Sequence, residues 1–402
     1  MIKKIIFVFS KFFETKDWDI FGCPYFLEQG YGIEIWSLVQ IYYAGKAKKP
    51  LHLFKDYKVQ YFNEISRFQN KLQKVDHKQT MFIIYPSLSE DPATGRLIRR
   101  EIRKTGGRYC DYFYPLYFMD TTNEVLPGTR ADITRYYLKH FRDKEKIKNL
   151  FFSFVYPPTY IFITARAKVR ELANRYDVLN PYKLKYINTQ DYDRFLSEDG
   201  EEDLTIVEKE GLQNNQYVVF LDEAHTHHSD NMNLGLKSWV TEEVYGKEIR
   251  NLLDFIEKQT GVDVVIALHP KAEYKDSSLY GGRRMIYGKS RALIKYSSIV
   301  ITDISSAISY IMLYHKKMLL YTTDQLLQGE GYQKQEQLAL AKFLGCEIVN
   351  ASKELPSNLS DKYVKQADES KRQMYLKEFV CSRRKNRKMT SAQIINTCLK
   401  RL

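Results

Sequence analysis

Short apolar runs alternate with amphipathic segments along almost the whole chain. In the first half, Ile5–Phe9, Ile33–Val39, Met81–Tyr85, Tyr109–Tyr114 and Tyr160–Thr164 read as strands. Ile20–Gln29, Phe62–Leu72, Leu97–Lys104 and Ile133–Ile147 read as helices between them. A second series follows, with Tyr217–Leu221, Val264–Leu268, Ile299–Thr302, Met318–Tyr321 and Glu347–Val349 as strands. Its helices are Thr241–Gln259, Ser290–Lys295, Ala307–Tyr314 and Gln335–Phe343, and the C-terminal stretch also reads as helical. Such alternation predicts parallel sheets covered by helices on both faces. Between the two series, Ser197–Asn215 is acidic and poor in apolar residues, the composition of a linker or surface crossover.

The expected fold class is therefore α/β, with two Rossmann-like domains around a cleft and ligands at the carboxyl ends of the strands. We place the first domain at 1–189, the crossover at 190–215, the second domain at 216–365 and C-terminal helices at 366–402. No internal sequence repeat is visible. A chain of 402 residues with 44% hydrophobic and 14% aromatic residues carries enough apolar surface for two cores, which excludes a disordered chain. Lys and Arg number 62 against 49 Asp and Glu, a formal charge of +13 that favours an anionic partner. The five cysteines are scattered, with no C-x-x-C pair, as expected in a reducing cytoplasm. The apolar start is short, broken by charge and without a cleavage site, so it reads as a buried strand rather than a signal peptide. No stretch approaches the roughly 20 apolar residues of a membrane span, so a soluble or peripheral protein is expected.

Three segments carry candidate chemistry. His269-Pro270 directly follows the strand Val264–Leu268, at the edge where proline ends the strand and an imidazole can meet a phosphate or a leaving group. Ser305 and Ser306 stand where the helix after Ile299–Thr302 should begin, offering hydroxyls and backbone N–H groups to an anion, although simple capping by Asp303 or Ser305 is the commoner use. Asp222, Glu223, His225, His227, His228 and Asp230 crowd the loop after Tyr217–Leu221. Side by side and buried, Asp222 and Glu223 would be pushed apart in pKa, as acid and base require. The histidines lack the i, i+4 helical spacing of hydrolytic zinc motifs, and no metal is expected.

Other patterns fail. Position 283, where a Walker loop ending in Gly288-Lys289-Ser290 needs glycine, is Arg283. Neither a G-x-G-x-x-G nor a G-x-S-x-G is present. Asp17/Asp19 and Asp191/Asp193 match D-x-D, a pattern short enough to arise by chance. The basic run Arg383, Arg384, Lys385, Arg387 and Lys388 has no nucleic-acid-binding fold motif around it and reads as a solvated helix face or a contact with acidic lipid.

Taken together, Leu221-Asp222-Glu223, His269-Pro270 and Ser305-Ser306 resemble the motif set of GT-B glycosyltransferases that use CMP-activated sugars, the bacterial sialyltransferases and Kdo transferases. The opening Asp17-Trp18-Asp19-Ile20-Phe21-Gly22 is similar to theirs as well; their glycine after the acidic pair is here Ala224. The resemblance implies a GT-B fold with C-terminal helices crossing back to the first domain. It also implies transfer of a CMP-activated ulosonic acid (Kdo or sialic-acid-like) onto a saccharide or glycolipid acceptor in capsule or lipopolysaccharide biosynthesis. Catalytic roles fall on Asp222, Glu223 and His269, and phosphate binding on His269, Pro270, Lys289, Ser305 and Ser306, with Lys289 or Arg291 neutralising the leaving group. Strand-end rigidity favours Asp222 over Glu223 as base or nucleophile. No cofactor beyond the donor and no nucleic acid are expected, and the place of action would be the cytoplasm, peripherally at the inner membrane face. The alternative is a CDP-glycerol or UDP-sugar transferase of cell-surface polymer synthesis; a basic nucleic-acid-binding protein is the reading from another class.

Overall fold

The computed structural model describes residues 1–43, 53–55, 58–85, 92–113, 148, 151–152, 154–164, 183–197, 200–227, 238, 240–270, 272, 274, 276–328, 331–381 and 383–402. The expected helix Ile133–Ile147, His228 and Asp230 lie outside them. The chain divides into two compact units, the first including the N-terminal sheet, residues up to Leu196 and Lys377–Leu402, the second including Ser197–Leu376.

The first unit is built on seven parallel strands: β1 Lys4–Phe9, β2 Gly32–Ser37, β3 Val59–Tyr61, β4 Thr80–Tyr85, β5 Arg108–Phe113, β6 Tyr160–Ile163 and β7 Leu184–Tyr186. They run in the order β3-β2-β1-β4-β5-β6-β7, all in parallel register. Alternation along β1 sends Ile5, Phe7 and Phe9 to one buried layer and Ile6 and Val8 to the other. Two-sided burial of this kind is what makes parallel strands read as continuous apolar runs. The layer around Phe7 is completed by Ile394, Ile395, Cys398 and Leu399 of the final helix, Ser391–Leu399. Asn396 accepts from the Tyr31 hydroxyl at 2.9 Å, and Asn188 donates to the Met389 carbonyl at 2.7 Å. The C-terminal helix thus crosses back to the first unit, as expected.

The second sheet repeats that plan. Its strands are β8 Val218–Leu221, β9 Val264–Leu268, β10 Met285–Tyr287, β11 Ile299–Thr302, β12 Lys317–Thr322 and β13 Val349–Asn350, with β14 Val364–Lys365 antiparallel to β12. The order is β10-β9-β8-β11-β12-β13. Each sheet therefore reverses direction beside its first strand, between β1 and β4 and between β8 and β11, the doubly wound order with a topological switch point. Two Rossmann-like α/β units of this kind are the GT-B architecture.

Several expectations change. The single helix Ile20–Gln29 is two, Thr15–Ile20 and Cys23–Glu28, broken at Gly22. Gly22 has φ 66, and a Cβ there would sit 2.5 Å from that of Ala392, so the close approach of the C-terminal helix demands glycine. The strand Ile33–Val39 stops at Ser37, and Val39 opens a short helix. The segment 190–215, expected as a linker or crossover, holds helices Gln190–Leu196 and Gly200–Lys209. Its acidic composition hid a helix whose Asp203, 1% exposed, anchors Arg291 at 2.6 Å. The three-residue strands β3, β7 and β10 were too short to show any period. The basic run near the C-terminus is a 3-10 turn, Arg384–Asn386, tied down by Asn386 donating to the Tyr186 carbonyl at 2.7 Å, rather than a helix face.

Candidate active site

The four strands β10, β9, β8 and β11 are neighbours, so the residues following their carboxyl ends share one sheet edge. That edge carries Lys289 after β10, His269-Pro270 after β9, Asp222-Glu223 after β8 and Asp303–Ser306 after β11. The last two segments flank the switch point, the place where open α/β sheets bind ligands. Gly288, at φ 72, turns the chain from β10 into the helix Ser290–Tyr296 and sets an exposed Lys289 at its N-cap.

Asp222 is 3% exposed and its carboxylate is fully engaged. One oxygen accepts from the Ala224 N–H at 2.8 Å, the Tyr274 hydroxyl at 2.8 Å and the Tyr280 hydroxyl at 2.7 Å. The other accepts from the His269 N–H at 3.1 Å. This side chain ties the β8 loop to the β9 loop. Acting as the base or nucleophile expected from its strand-end position would mean giving up part of this four-donor network. Ala224 has φ 52, a left-handed conformation that glycine adopts freely and alanine at a cost of about 1 kcal/mol. The loop therefore keeps the shape a glycine would give it.

Glu223, the next residue in the loop, meets different partners, among them the Ser305 hydroxyl. Burial first, then the negative charges of Asp303 and Asp222, hold its carboxyl well above the usual range, while a hydrogen bond from Ser305 opposes the shift. It is partly exposed at this edge, and its raised pKa favours the protonated form. Ser305 also accepts from the Ala307 N–H at 3.1 Å, so its hydroxyl orders the turn before the helix Ile308–Leu313. Ser306, on the same turn, is exposed. Burial disfavours the charged imidazole of His225, but Asp303, 2.6 Å away, outweighs it and raises that pKa. Asp303 keeps one buried oxygen without a hydrogen-bond partner among the described residues. Tyr274, Tyr280 and the His225–Asp303 pair carry no local signal in the sequence; only their spacing in three dimensions reveals the network.

Other candidates go elsewhere. Arg291 pairs with Asp203 on the neighbouring helix, away from the phosphate role expected of it. The Pro270 carbonyl accepts from the Tyr287 hydroxyl at 2.8 Å, tying the β9 loop to β10. Asp17 binds Lys11 at 2.7 Å and closes a capping box at Thr15–Ile20. Asp193 accepts twice from the Ser391 N–H at 2.9 Å. His227 contacts Thr226 at 2.8 Å and Glu242 at 3.5 Å.

The class that fold and edge define is the GT-B type of two Rossmann-like units. Among solved structures the chain is similar in fold to wall teichoic acid polymerase TagF. A histidine-to-alanine variant of TagF gives a TM-score of 0.53 at 17% identity, covering 100% of this chain and 90% of that one. A histidine-to-asparagine variant soaked with CDPG gives 0.52 at 15% identity, covering 99% and 89%. No protein-family model matches the sequence, and no curated protein is similar to it at a significant level.

Proposed function

We propose that this chain is a GT-B transferase that moves a group from a cytidine-nucleotide donor onto a growing cell-surface polymer and releases CMP. CDP-glycerol is the favoured donor. The observation that carries the reading is the switch-point edge, where a pKa-raised Glu223 stands between the His269 loop and the Ser305-Ser306 turn. The fold shared with TagF, which has been soaked with CDPG, supports the choice of donor.

Glu223 takes the proton of the acceptor hydroxyl. The hydroxyl oxygen attacks the glycerol-bearing phosphorus, the bond to the CMP phosphate breaks, and CMP leaves with that electron pair. His269, Lys289 and the exposed Ser306 receive the leaving phosphate; Ser305 is already committed to Glu223 and Ala307. Asp222 holds the loops that carry Glu223 and His269.

A second reading rests on the motif set Asp222-Glu223, His269-Pro270 and Ser305-Ser306: a CMP-ulosonic acid donor attacked at its anomeric carbon. The same base and phosphate site serve both, because CMP is the leaving group in each. Incubation with CDP-glycerol, CMP-Kdo, CMP-sialic acid and UDP-N-acetylglucosamine, followed by detection of freed nucleotide, tests both. CMP from CDP-glycerol alone supports the first reading and CMP from the ulosonates the second. UMP or UDP release, or no turnover with any cytidine donor over a panel of glycerol-phosphate and saccharide acceptors, refutes the proposal.

A further inference from the structure

At the amino ends of the strands in the second unit, on the side away from Glu223, lies an open cavity of about 620 Å³. It is lined by the segments that precede β8, β9, β11 and β12, and by β14 with the turn before it. Along β9 alone it is separated from the His269 edge by about 13 Å of extended chain. The volume suits a small ligand of sugar size or somewhat larger.

Its cations, Lys316 and Lys317, follow His315 directly in the chain. Lys316 is half-buried and lies 3.3 Å from the Asn215 side-chain oxygen, and among the described residues neither it nor Lys317 forms an ion pair with a carboxylate. Burial lowers the Lys316 pKa with no nearby carboxylate to offset it, the state of an ammonium lacking its counter-charge. His315 donates through Nε2 to the Ala367 carbonyl at 2.8 Å, which fixes the tautomer and leaves Nδ1 as its second polar atom. It also occupies, at φ 53, the left-handed position after the helix Ile308–Leu313, where the Lys316 N–H closes a 6→1 bond to the Ile311 carbonyl at 2.9 Å. Glycine is the usual residue in that slot, so an imidazole there is held against a backbone preference. The rest of the lining is rich in amides and hydroxyls, Gln259, Ser298 and Ser360 among them, with a single carboxylate, the exposed Asp361.

We infer that this cavity is a second binding site, distinct from the transfer edge, for a small polyol that carries a phosphate. The lysines take the phosphate, and the amides and hydroxyls, with the His315 Nδ1 as an acceptor, take the polyol. The inference does not depend on the reaction proposed above.

The test uses the full chain and sn-glycerol 3-phosphate as probe, with glycerol and inorganic phosphate as controls. Titration is followed by calorimetry and by the imidazole NMR signals of His315, assigned by their loss in His315→Gln. We expect His315 to shift with glycerol 3-phosphate, a several-fold weaker response to phosphate and none to glycerol. The double variant Lys316→Ala/Lys317→Ala should weaken that binding at least tenfold with an unchanged melting temperature, whereas Glu223→Gln should leave it intact. No His315 shift up to 20-fold excess of probe over a millimolar Kd (about 20 mM), equal affinity for phosphate alone, or binding lost in Glu223→Gln but kept in the double variant, each overturns the inference.

Discussion

Replacing Asp222 by asparagine separates a positioning carboxylate from a reacting one. Three donors converge on one oxygen and a fourth on the other. If the carboxamide places its oxygen toward Ala224, Tyr274 and Tyr280, its NH₂ faces the His269 N–H at 3.1 Å, donor against donor. The flipped amide is worse, losing three bonds to keep one. In the better orientation, three bonds to a charged acceptor become bonds to a neutral one, each weaker by about 1 kcal/mol, and one buried N–H loses its partner for about 1–2 kcal/mol. The expected loss is about 4 kcal/mol, which for a unit of this size lowers the melting temperature by roughly 10 °C. Circular-dichroism melts of wild type, Asp222→Asn and Glu223→Gln at pH 7 decide the matter. Glu223→Gln should melt near the wild type yet release CMP at least 100-fold more slowly. An Asp222→Asn protein that melts within 2 °C of wild type (roughly 1 kcal/mol) while losing turnover would refute the positioning role and restore Asp222 as the reacting group.

The raised carboxyl of Glu223 should appear as an acid limb in kcat/KM, activity rising with pH through a value above the ordinary glutamate range. Asp303→Asn removes a charge that raises this pKa and should move the limb down; Ser305→Ala removes a bond that lowers it and should move the limb up. A limb unmoved by both variants would exclude Glu223 as its source. His269→Ala should cut turnover roughly 10²–10⁴-fold with a normal melting curve, because the bond to Asp222 comes from its backbone N–H and survives the substitution; near-normal turnover would remove it from the phosphate site. Turnover should persist in EDTA, since the leaving phosphate is met by protein donors; loss on chelation, restored by a divalent ion, would contradict this. Burial pushes Asp193 up to about 6 from 3.8, so the folded state binds its proton more tightly than the unfolded chain does. That stabilisation is complete below about pH 4 and gone above about pH 6, some 3 kcal/mol in all. The stability of Asp193→Asn relative to wild type should therefore rise by about that amount from pH 4 to pH 7; parallel urea-denaturation curves would show that Asp193 is not the titrating group.

The sequence by itself determined the α/β class, two successive strand–helix series and the residues at one strand edge. Those properties follow from local period: strands buried on both faces are unbroken apolar runs, and whatever follows such a run lands at the sheet's carboxyl edge. Val218–Leu221, Val264–Leu268 and Ile299–Thr302 were legible for that reason, and with them Asp222, Glu223, His269 and Ser305. Tertiary structure alone decided the rest. The order β10-β9-β8-β11 depends on non-local pairing, which leaves no trace in local period. The helix Gly200–Lys209 was hidden because its stabilising partner, Arg291, lies 88 residues from Asp203. The division of labour between Asp222 and Glu223 was hidden for the same reason. Adjacent in sequence and alike in chemistry, they differ only in what folding brings to them: two tyrosine hydroxyls and two backbone N–H groups for one, a second carboxylate and a serine hydroxyl for the other.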